Sequence, residues 1–432
     1  MTQPSRFRWF VIFLLFAISV VNYIDRAAIS YAIPQMVRDL NLSPAEAGAI
    51  LGAFGLGYAV TTLLSGIVVD RFGSRGVLAA AAILWSLSIG ATGLAGGFSV
   101  LYAARVLLGM SEGPNFPALT GAVSRWLAPQ ERATALGNAL IAVPLALAAG
   151  GPVITQLLGW FEWRGTFFVL FGLSILWVPL WLIFYRDDPG RSRFVNKAEL
   201  AHIQSKEVPP QAASAPGGSI EKDDTPVRLL FTNRTLLANY WAYFVYGYFL
   251  FFFMTWLPSY LEQAYGLKLI EVGLFTVLPW LAAAFALWAV ARASDYLLRT
   301  TGRLRIARSY LIASTQLIAA IAVVPVALTH DLATAIACIT VAVAASVGAN
   351  AVSFAVNVDV VPQRAATAFG IMNLAFAIAG FLAPVVTGAV LKLQGSFVSA
   401  FWLMAGLAFA SVLVVLCFHD PDRDRLKQTP RR

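Results

Sequence analysis

Apolar runs of about 20 residues recur along almost the whole chain, and they limit the possible folds more than any other feature of the sequence. An α-helix rises about 1.5 Å per residue, so about 20 residues cross the roughly 30 Å hydrocarbon core of a bilayer. The sequence is 59% hydrophobic and only 12% charged, which is too apolar for a soluble globular protein. We therefore predict an all-α integral membrane protein.

The apolar runs predict twelve transmembrane helices in two pseudo-symmetric six-helix bundles. Residues 1–186 form the first bundle, 187–232 a polar cytoplasmic loop, 233–418 the second bundle and 419–432 a cytoplasmic tail. Within the loop, 196–206 has the polar character of a short surface helix, and 212–225 has the composition of a flexible linker. The predicted spans are 9–31, 48–69, 76–96, 99–123, 134–158, 163–185, 236–261, 270–291, 307–328, 332–355, 365–390 and 397–418.

Internal repetition supports the division into halves. The segment 129–137 recurs as 362–370, and Asp70 with its arginines recurs as Asp295 and Arg299. Both copies follow the same order and fall on the same predicted face of the membrane, so the halves are parallel repeats. Parallel repeats predict a pseudo-twofold axis along the membrane normal, with a substrate site between the halves, as in transporters whose halves rock.

The net charge of +9 raises the question of a polyanionic partner. If the amino terminus is cytoplasmic, however, almost all Lys and Arg residues outside the spans fall on the cytoplasmic side, as the positive-inside rule requires. We therefore predict a basic surface that fixes orientation, with both termini cytoplasmic and no nucleic-acid partner.

Cysteine and histidine are too scarce for the common metal and catalytic sites. The two cysteines, Cys338 and Cys417, lie in separate apolar runs, and the chain has only three histidines. This pattern supports neither a disulfide framework nor a metal cluster. We predict no cofactor and no metal.

Four charged residues lie where the bilayer would be, and they are the candidate functional residues. Arg105 and Glu112 are seven residues apart, so they share one helix face and differ in height by about 10 Å. Counting from the span ends brings Asp25, Arg26 and Arg105 to a similar depth, with Glu112 one layer nearer the cytoplasm. Such residues normally line a cavity or form pairs, so they predict an anion site beside a protonatable group. The alternative is a set of buried ion pairs that only fix helix packing.

Two sequence patterns resemble a known family. Gly66 and the turn Asp70-Arg71-Phe72-Gly73-Ser74-Arg75, its weaker echo at Asp295, and twelve spans divided by a cytoplasmic loop resemble the major facilitator superfamily over nearly the whole chain. Asn22-Tyr23-Ile24-Asp25-Arg26, together with Arg105, Gly109, Glu112 and Pro117 at their spacing, is similar to the anion:cation symporter branch, which includes bacterial importers of sugar acids and other organic anions.

The resemblance implies residue roles. It implies that Asp25 and Glu112 carry protons, that Arg26 and Arg105 engage a carboxylate, and that Tyr23, Tyr58 and Asn373 contact substrate. Tyr58 has the alternative of a packed or interfacial aromatic. Ser353 and Asn357 are candidates to line the lower cavity, although such side chains often bond neighbouring backbone instead. A conformational or topological role is predicted for Gly66, Asp70, Arg71, Gly73, Arg75, Asp295 and Arg299.

One position departs from the sugar-acid members. Those members resemble one another in a glutamine six residues past the glycine that corresponds to Gly137, whereas this chain has Val143, followed by Pro144. An unpaired hydroxyl costs about 1–3 kcal/mol when it is buried, so a smaller or less hydroxylated carboxylate is as consistent with the sequence as a sugar acid.

We therefore predict a proton-coupled importer of a small organic anion, a monomer surrounded by lipid in the bacterial inner membrane. A proton-coupled exporter of drugs or metabolites is the alternative, and two intramembrane arginines argue against a cationic cargo. Gly109-Met110-Ser111-Glu112-Gly113 also matches the G-x-S-x-G pattern of serine hydrolases, but that pattern needs a preceding strand and a histidine partner. We predict that the chain is not an enzyme.

Overall fold

The computed structural model describes residues 5–204 and 227–424, and these ranges contain helices but no β-strand. Nine helical segments of the described chain are long and apolar enough to cross a membrane. The remaining predicted spans lie in shorter or merged helices, so the predicted all-α membrane fold with twelve spans is confirmed. The predicted linker 212–225 and the end of the tail, 425–432, lie outside the described ranges.

The chain divides into two compact units, Met1–Gly217 and Gly218–Arg432. The bounds proposed for each bundle from the sequence stay a prediction. The helices of the first unit are α1 (Phe7–Leu40), α2 (Pro44–Gly93), α3 (Phe98–Glu112), α4 (Asn115–Trp126), α5 (Pro129–Phe184) and α6 (Lys197–Ile203).

Several helix bounds in the first unit differ from the predicted spans. α2 holds predicted spans 2 and 3, which meet at Gly73, where φ is 79°. α5 holds spans 5 and 6, which meet at Glu162, where φ is 54°. Span 4 is divided between α3 and α4 at Gly113 and Pro114. α1 continues past Tyr31, the end of predicted span 1, to Leu40. The helix is therefore longer than the predicted span.

The second unit contains the remaining helices. Predicted span 8 is divided at Thr276 and span 10 at Ala349, and a π-helical turn, Arg305–Ser309, precedes span 9. The helices are α7 (Arg234–Tyr265), α8 (Leu269–Phe275), α9 (Val277–Thr301), α10 (Tyr310–Leu328), α11 (Leu332–Gly348), α12 (Asn350–Val360), α13 (Ala365–Gln394), α14 (Val398–Phe418) and α15 (Pro421–Asp424).

Helix pairing follows the same order in both units. In the first, α1 packs on α5, the first part of α2 on α3, and the second part of α2 on the second part of α5. In the second, α7 packs on α13, α9 on α11, and α10 on α14. In span numbers, the second unit has pairs 7–11, 8–10 and 9–12. The first unit has the matching pairs 2–4 and 3–6, and α1 contacts both spans held in α5. The shared order agrees with the repeat predicted from the sequence.

The short helix α6 is docked on the start of α1 instead of lying free on the surface. Glu199 of α6 is fully buried and accepts hydrogen bonds from the Ser5 hydroxyl, from the backbone amides of Phe7 and Arg8, and from the Arg8 guanidinium at 3.1 Å. The first amides of a helix lack intrahelical acceptors, so this carboxylate caps α1 from outside the helix. Burial alone would raise the pKa of Glu199, but these hydrogen bonds lower it below its ordinary value.

Candidate functional site

The framework of the candidate site is a close approach between α2 and α3. A Cβ atom on Gly57 would lie 2.0 Å from the Val106 carbonyl oxygen, and one on Gly109 would lie 2.1 Å from the Phe54 carbonyl oxygen. Only glycine permits helix backbones to pack at this distance. The approach places the Phe54 ring of α2 beside the charged residues of α3.

Arg26 of α1 and Glu112 of α3 form a buried ion pair in this framework. The Arg26 Nη2 and Glu112 Oε2 atoms are 2.7 Å apart, and Arg26 Nε donates to the same oxygen at 3.1 Å. Arg26 also donates to the Asn22 side-chain oxygen at 3.2 Å. The sequence predicted Glu112 one layer nearer the cytoplasm than Arg26, and that placement stays a prediction. The ion pair is compatible with it, because a long arginine side chain can reach across one layer.

Three aromatic rings surround the Arg26 guanidinium. Its carbon lies 4.3 Å from the centre of the Phe54 ring, 4.5 Å from that of Tyr23 and 5.3 Å from that of Tyr58. Phe54 and Tyr58 are stacked, and both are buried. Cation–π contacts stabilise a guanidinium that has been removed from water. Tyr23 and Tyr58 therefore belong to the charged cluster, and Phe54 is a member that the sequence analysis missed.

Arg105 is buried beside the ion pair, and two of its three nitrogen atoms have no acceptor in the described ranges. Its side chain is 2% exposed, and its carbon lies 5.4 Å from the Phe54 ring centre. Among the described residues, no acceptor bonds its Nε or Nη1 atoms, and no carboxylate forms an ion pair with it. A buried cation without a counter-charge is unfavourable unless an anion binds there.

Asp25 faces a different neighbour from the other three charged residues. Its Oδ2 atom accepts a hydrogen bond from Ser174 of α5 at 2.7 Å, and its Oδ1 atom has no hydrogen-bond partner among the described residues. Successive helix residues point about 100° apart, which explains why Asp25 and Arg26 contact different helices. The structure therefore joins Arg26, Glu112 and Arg105 around Phe54 and places Asp25 against α5.

The second unit has a neutral polar cluster on α7, α12 and α13. Asn239 donates to the Ser353 backbone oxygen at 3.0 Å and to the Asn357 side-chain oxygen at 3.4 Å. Asn357 also contacts the Met372 sulfur at 3.4 Å. Asn357 therefore contacts side chains of α7 and α13, and its role in lining the lower cavity stays a prediction. Asn373 of α13 is half-buried.

A second group of polar residues in this unit was not predicted from the sequence. Asn350, the first residue of α12, donates to the Tyr246 hydroxyl at 3.0 Å and accepts from the Tyr243 hydroxyl at 3.3 Å. The helix break at Ala349 turns Asn350 toward α7. The Gly348-Ala349-Asn350 sequence inside an apolar run was the available signal.

Within the predicted conformational motif, Gly73 and Arg75 are held by a residue outside it. Asp187 follows α5, and its Oδ1 atom accepts from the Arg75 amide at 3.2 Å and from Arg125 at 3.0 Å. The Arg75 guanidinium also donates to the Tyr185 carbonyl oxygen at 3.0 Å. Since Gly73 interrupts α2, Asp187 caps the helix that restarts after it.

The other members of the motif are more exposed. Asp70 and Arg71 are exposed, Gly66 is half-buried, and Asp70 makes no hydrogen bond or ion pair with the described residues. Their predicted conformational role stays a prediction.

The corresponding turn of the second unit is organised around Arg308. Its Nε atom donates to Asp359 at 2.9 Å, and its Nη1 atom donates to the Ser294 hydroxyl at 2.5 Å and lies 3.9 Å from Asp295. Asp295 thus has a partner, whereas Asp70 has none in the described part of the chain, and Arg299 is exposed. Arg308 was not predicted from the sequence.

No group of three or more metal-ligating side chains occurs in the described part of the chain, and Cys338 and Cys417 are free thiols. The buried guanidinium and carboxylate groups of the candidate site suit non-covalent recognition of an anion.

Comparisons with known proteins agree over nearly the whole length. Residues 15–384 and 300–432 match the family model described as Major Facilitator Superfamily. The hexuronate transporter of Bacillus subtilis is 32% identical over 95% of this chain and 94% of its own. A probable sulfoacetate transporter of Cupriavidus necator is 30% identical, and the match covers 98% of this chain and 97% of that protein. A probable galactarate/D-glucarate transporter of Bacillus subtilis is 31% identical, and the match covers 97% of this chain and 93% of that protein.

Among solved structures, a bacterial homologue of the human lysosomal transporter Spinster, in an inward-facing and occupied conformation, has a TM-score of 0.74. The match covers 100% of each chain at 18% sequence identity. At that identity the similarity shows a shared fold and nothing further.

Proposed function

Because this chain belongs to the major facilitator superfamily, we propose that it imports a small organic anion together with protons by alternating access. Arg105 carries the proposal. Its buried guanidinium has two nitrogen atoms without acceptors among the described residues, and it lies in a cluster with a second arginine. Guanidinium groups bind carboxylates through paired hydrogen bonds, so Arg105 is suited to the charged end of an anionic substrate.

Glu112 supplies a physical link between the proton and the anion. With Glu112 ionised, Arg26 is occupied by the ion pair, and Arg105 alone is available. Protonation of Glu112 removes its charge and releases Arg26, so that two guanidiniums face one incoming anion. By linkage, the anion then favours protonation to the same extent that protonation favours the anion. We assign Asp25 as a second proton carrier, with Ser174 as its hydrogen-bond partner.

The relatives suggest the substrate class. Their names include a hexuronate, a galactarate or glucarate and a sulfoacetate, all of which carry at least one acidic group. Val143, followed by Pro144 in α5, stands where the resemblance to sugar-acid members implies a glutamine. We therefore place weakly hydroxylated carboxylates and sulfonates beside sugar acids as candidates. The proposal further includes a monomer in the bacterial inner membrane with both termini in the cytoplasm.

Transport into proteoliposomes tests the proposal. A thermal-stability screen of the purified protein against monocarboxylates, dicarboxylates, sulfonates and sugar acids would first identify a ligand. With that ligand labelled, we expect uptake above the external concentration when the outside is acidic. Glu112→Gln should abolish uphill uptake while it retains exchange of labelled for unlabelled anion. Arg105→Gln should lose both activities.

Arg164→Gln is a matched control, because Arg164 lies outside the cluster and bonds the backbone oxygens of Gly93 and Ala95. This variant should keep both activities. Uphill uptake by Glu112→Gln at the wild-type level would contradict the proton role. Efflux driven by the same gradient, with no uptake, would favour an exporter.

A further inference from the structure

One face of α9 is exposed along the whole helix and changes from apolar to basic. Leu278, Leu281, Phe285 and Trp288 follow one another at intervals of three or four residues, the spacing of a single helix face. All four side chains are exposed, and Phe285 reaches 68%. The same face continues through Arg292, Tyr296 and Arg299, which are exposed as well.

The basic end of this face forms a shallow groove of about 490 Å³, lined by Arg292, Asp295, Tyr296 and Arg299. The Arg292 guanidinium lies 4.5 Å from the centre of the Trp288 ring. Neither Arg292 nor Arg299 forms an ion pair with the described residues. Asp295 lies 3.9 Å from Arg308, which is paired more closely with Asp359, so the groove carries two guanidiniums and one carboxylate. The groove therefore has a net positive charge, with two guanidiniums that form no ion pair within the described ranges.

The dimensions of the face match one bilayer leaflet. Leu278 and Trp288 are ten residues apart, which is about 15 Å along the helix, or about half of the roughly 30 Å hydrocarbon core. Tryptophan and tyrosine favour the boundary between hydrocarbon and headgroups, where Trp288 and Tyr296 would then lie. Arg292 and Arg299 follow at the level of the headgroups.

We propose that this face binds an anionic phospholipid, with an acyl chain along Leu278, Leu281 and Phe285 and the phosphodiester between Arg292 and Arg299. The apolar stripe below the arginines selects a lipid over a soluble phosphate, because a soluble ion would leave that surface unused. The net positive charge of the groove favours a headgroup that carries no ammonium group. Phosphatidylglycerol has that chemistry.

Lipid binding by the purified full-length protein tests the inference. Native mass spectrometry in mixed micelles would compare retention of phosphatidylglycerol with that of phosphatidylcholine. We expect preferential retention of phosphatidylglycerol by the wild type and a roughly tenfold weaker preference in Arg292→Gln/Arg299→Gln, since each basic residue near an anionic headgroup contributes substantially to binding. Brominated phosphatidylglycerol should quench tryptophan fluorescence less in Trp288→Phe than in the wild type.

Arg193→Gln/Arg228→Gln is the matched control, because both arginines are exposed and the loss of charge is the same. An equal loss of lipid preference in the two double variants would overturn the inference, since the effect would then follow net charge alone. Protection of the protein against thermal unfolding by glycerol 3-phosphate as strong as that by phosphatidylglycerol would also overturn it, in favour of a soluble-anion site.

Discussion

Arg26 and Glu112 lie 2.7 Å apart in a fully buried ion pair, while Arg105 in the same cluster has no carboxylate partner among the described residues. The two arginines of the cluster are therefore in different electrostatic states. A buried pair that keeps both partners is close to neutral for stability, but removal of one partner leaves an uncompensated charge. This asymmetry predicts different effects for substitutions at Glu112 and Arg105.

Glu112→Gln should increase anion affinity at neutral pH and flatten its pH dependence. The amide keeps the size of the side chain but cannot neutralise Arg26, so Arg26 becomes available to the anion. In the wild type, affinity should rise as pH falls, because protonation of Glu112 has the same effect. Isothermal titration at several pH values measures this. An unchanged pH profile in the variant would contradict the coupling, and Asp70→Asn, which removes an exposed carboxylate, is the control.

Arg105→Lys should weaken anion binding by about tenfold or more while leaving the fold intact. Lysine keeps the charge but cannot form the paired, planar hydrogen bonds of a guanidinium. Because Arg105 makes no ion pair with the described residues, the substitution breaks no ion pair within the protein. Binding and thermal unfolding should be measured on the same preparation. Wild-type affinity in Arg105→Lys would argue that the anion does not contact Arg105.

The fold was the part of the molecule most accessible from the sequence. The twelve apolar runs predicted the spans, and the turn that contains Asp70 and Arg75 predicted the family, which the family match confirms. Helix bounds were harder to predict, because an apolar run marks the part of a helix that lies in the bilayer and not the residues where the helix begins and ends. α2 continues through the turn at Gly73, and α1 continues beyond its apolar run.

Most residues of the candidate site could be predicted from the sequence, but their hydrogen-bond and ion-pair partners could not. Helical spacing brought Arg105 and Glu112 to one face, but it could not show that Arg26 would pair with Glu112 while Asp25 bonds Ser174. Those partners depend on which helices are neighbours and on how far a long side chain reaches. Phe54 was missed for the same reason, since only the close contact of α2 and α3 places it in the cluster.

Gly73→Ala should destabilise the first unit by about 1–3 kcal/mol, the usual cost of a strained backbone conformation. Gly73 has φ of 79°, and a Cβ atom there would lie 2.5 Å from the Asp187 Oδ2 atom. The added methyl group would push Asp187 away from the Arg75 amide that it caps. Thermal unfolding measures the loss. Gly76→Ala is the matched control, because a Cβ atom at Gly76 would meet nothing within 4 Å.

Glu199→Gln should release α6 from α1 and remove an acid-sensitive component of stability. Hydrogen bonds hold the pKa of Glu199 below its ordinary value of 4.5. A carboxylate whose pKa is lower in the folded state stabilises that state fully above its unfolded pKa. The contribution is lost as pH falls from about 4.5 through the folded pKa. Wild-type docking of α6 should therefore weaken in that window, whereas docking in the variant should be weak already at pH 7 and change less.

Hydrogen exchange of the amides in 197–203, measured from pH 7 to pH 3 and corrected for intrinsic rates, reports this docking directly. Breaking a buried, hydrogen-bonded charge pair costs about 3–5 kcal/mol, so protection should fall by at least a hundredfold in Glu199→Gln at neutral pH. Arg8→Gln should give a smaller loss, because the Ser5 hydroxyl and the backbone amides of Phe7 and Arg8 remain as donors to Glu199. Equal protection in the wild type and Glu199→Gln would show that α6 is held by its apolar contacts instead.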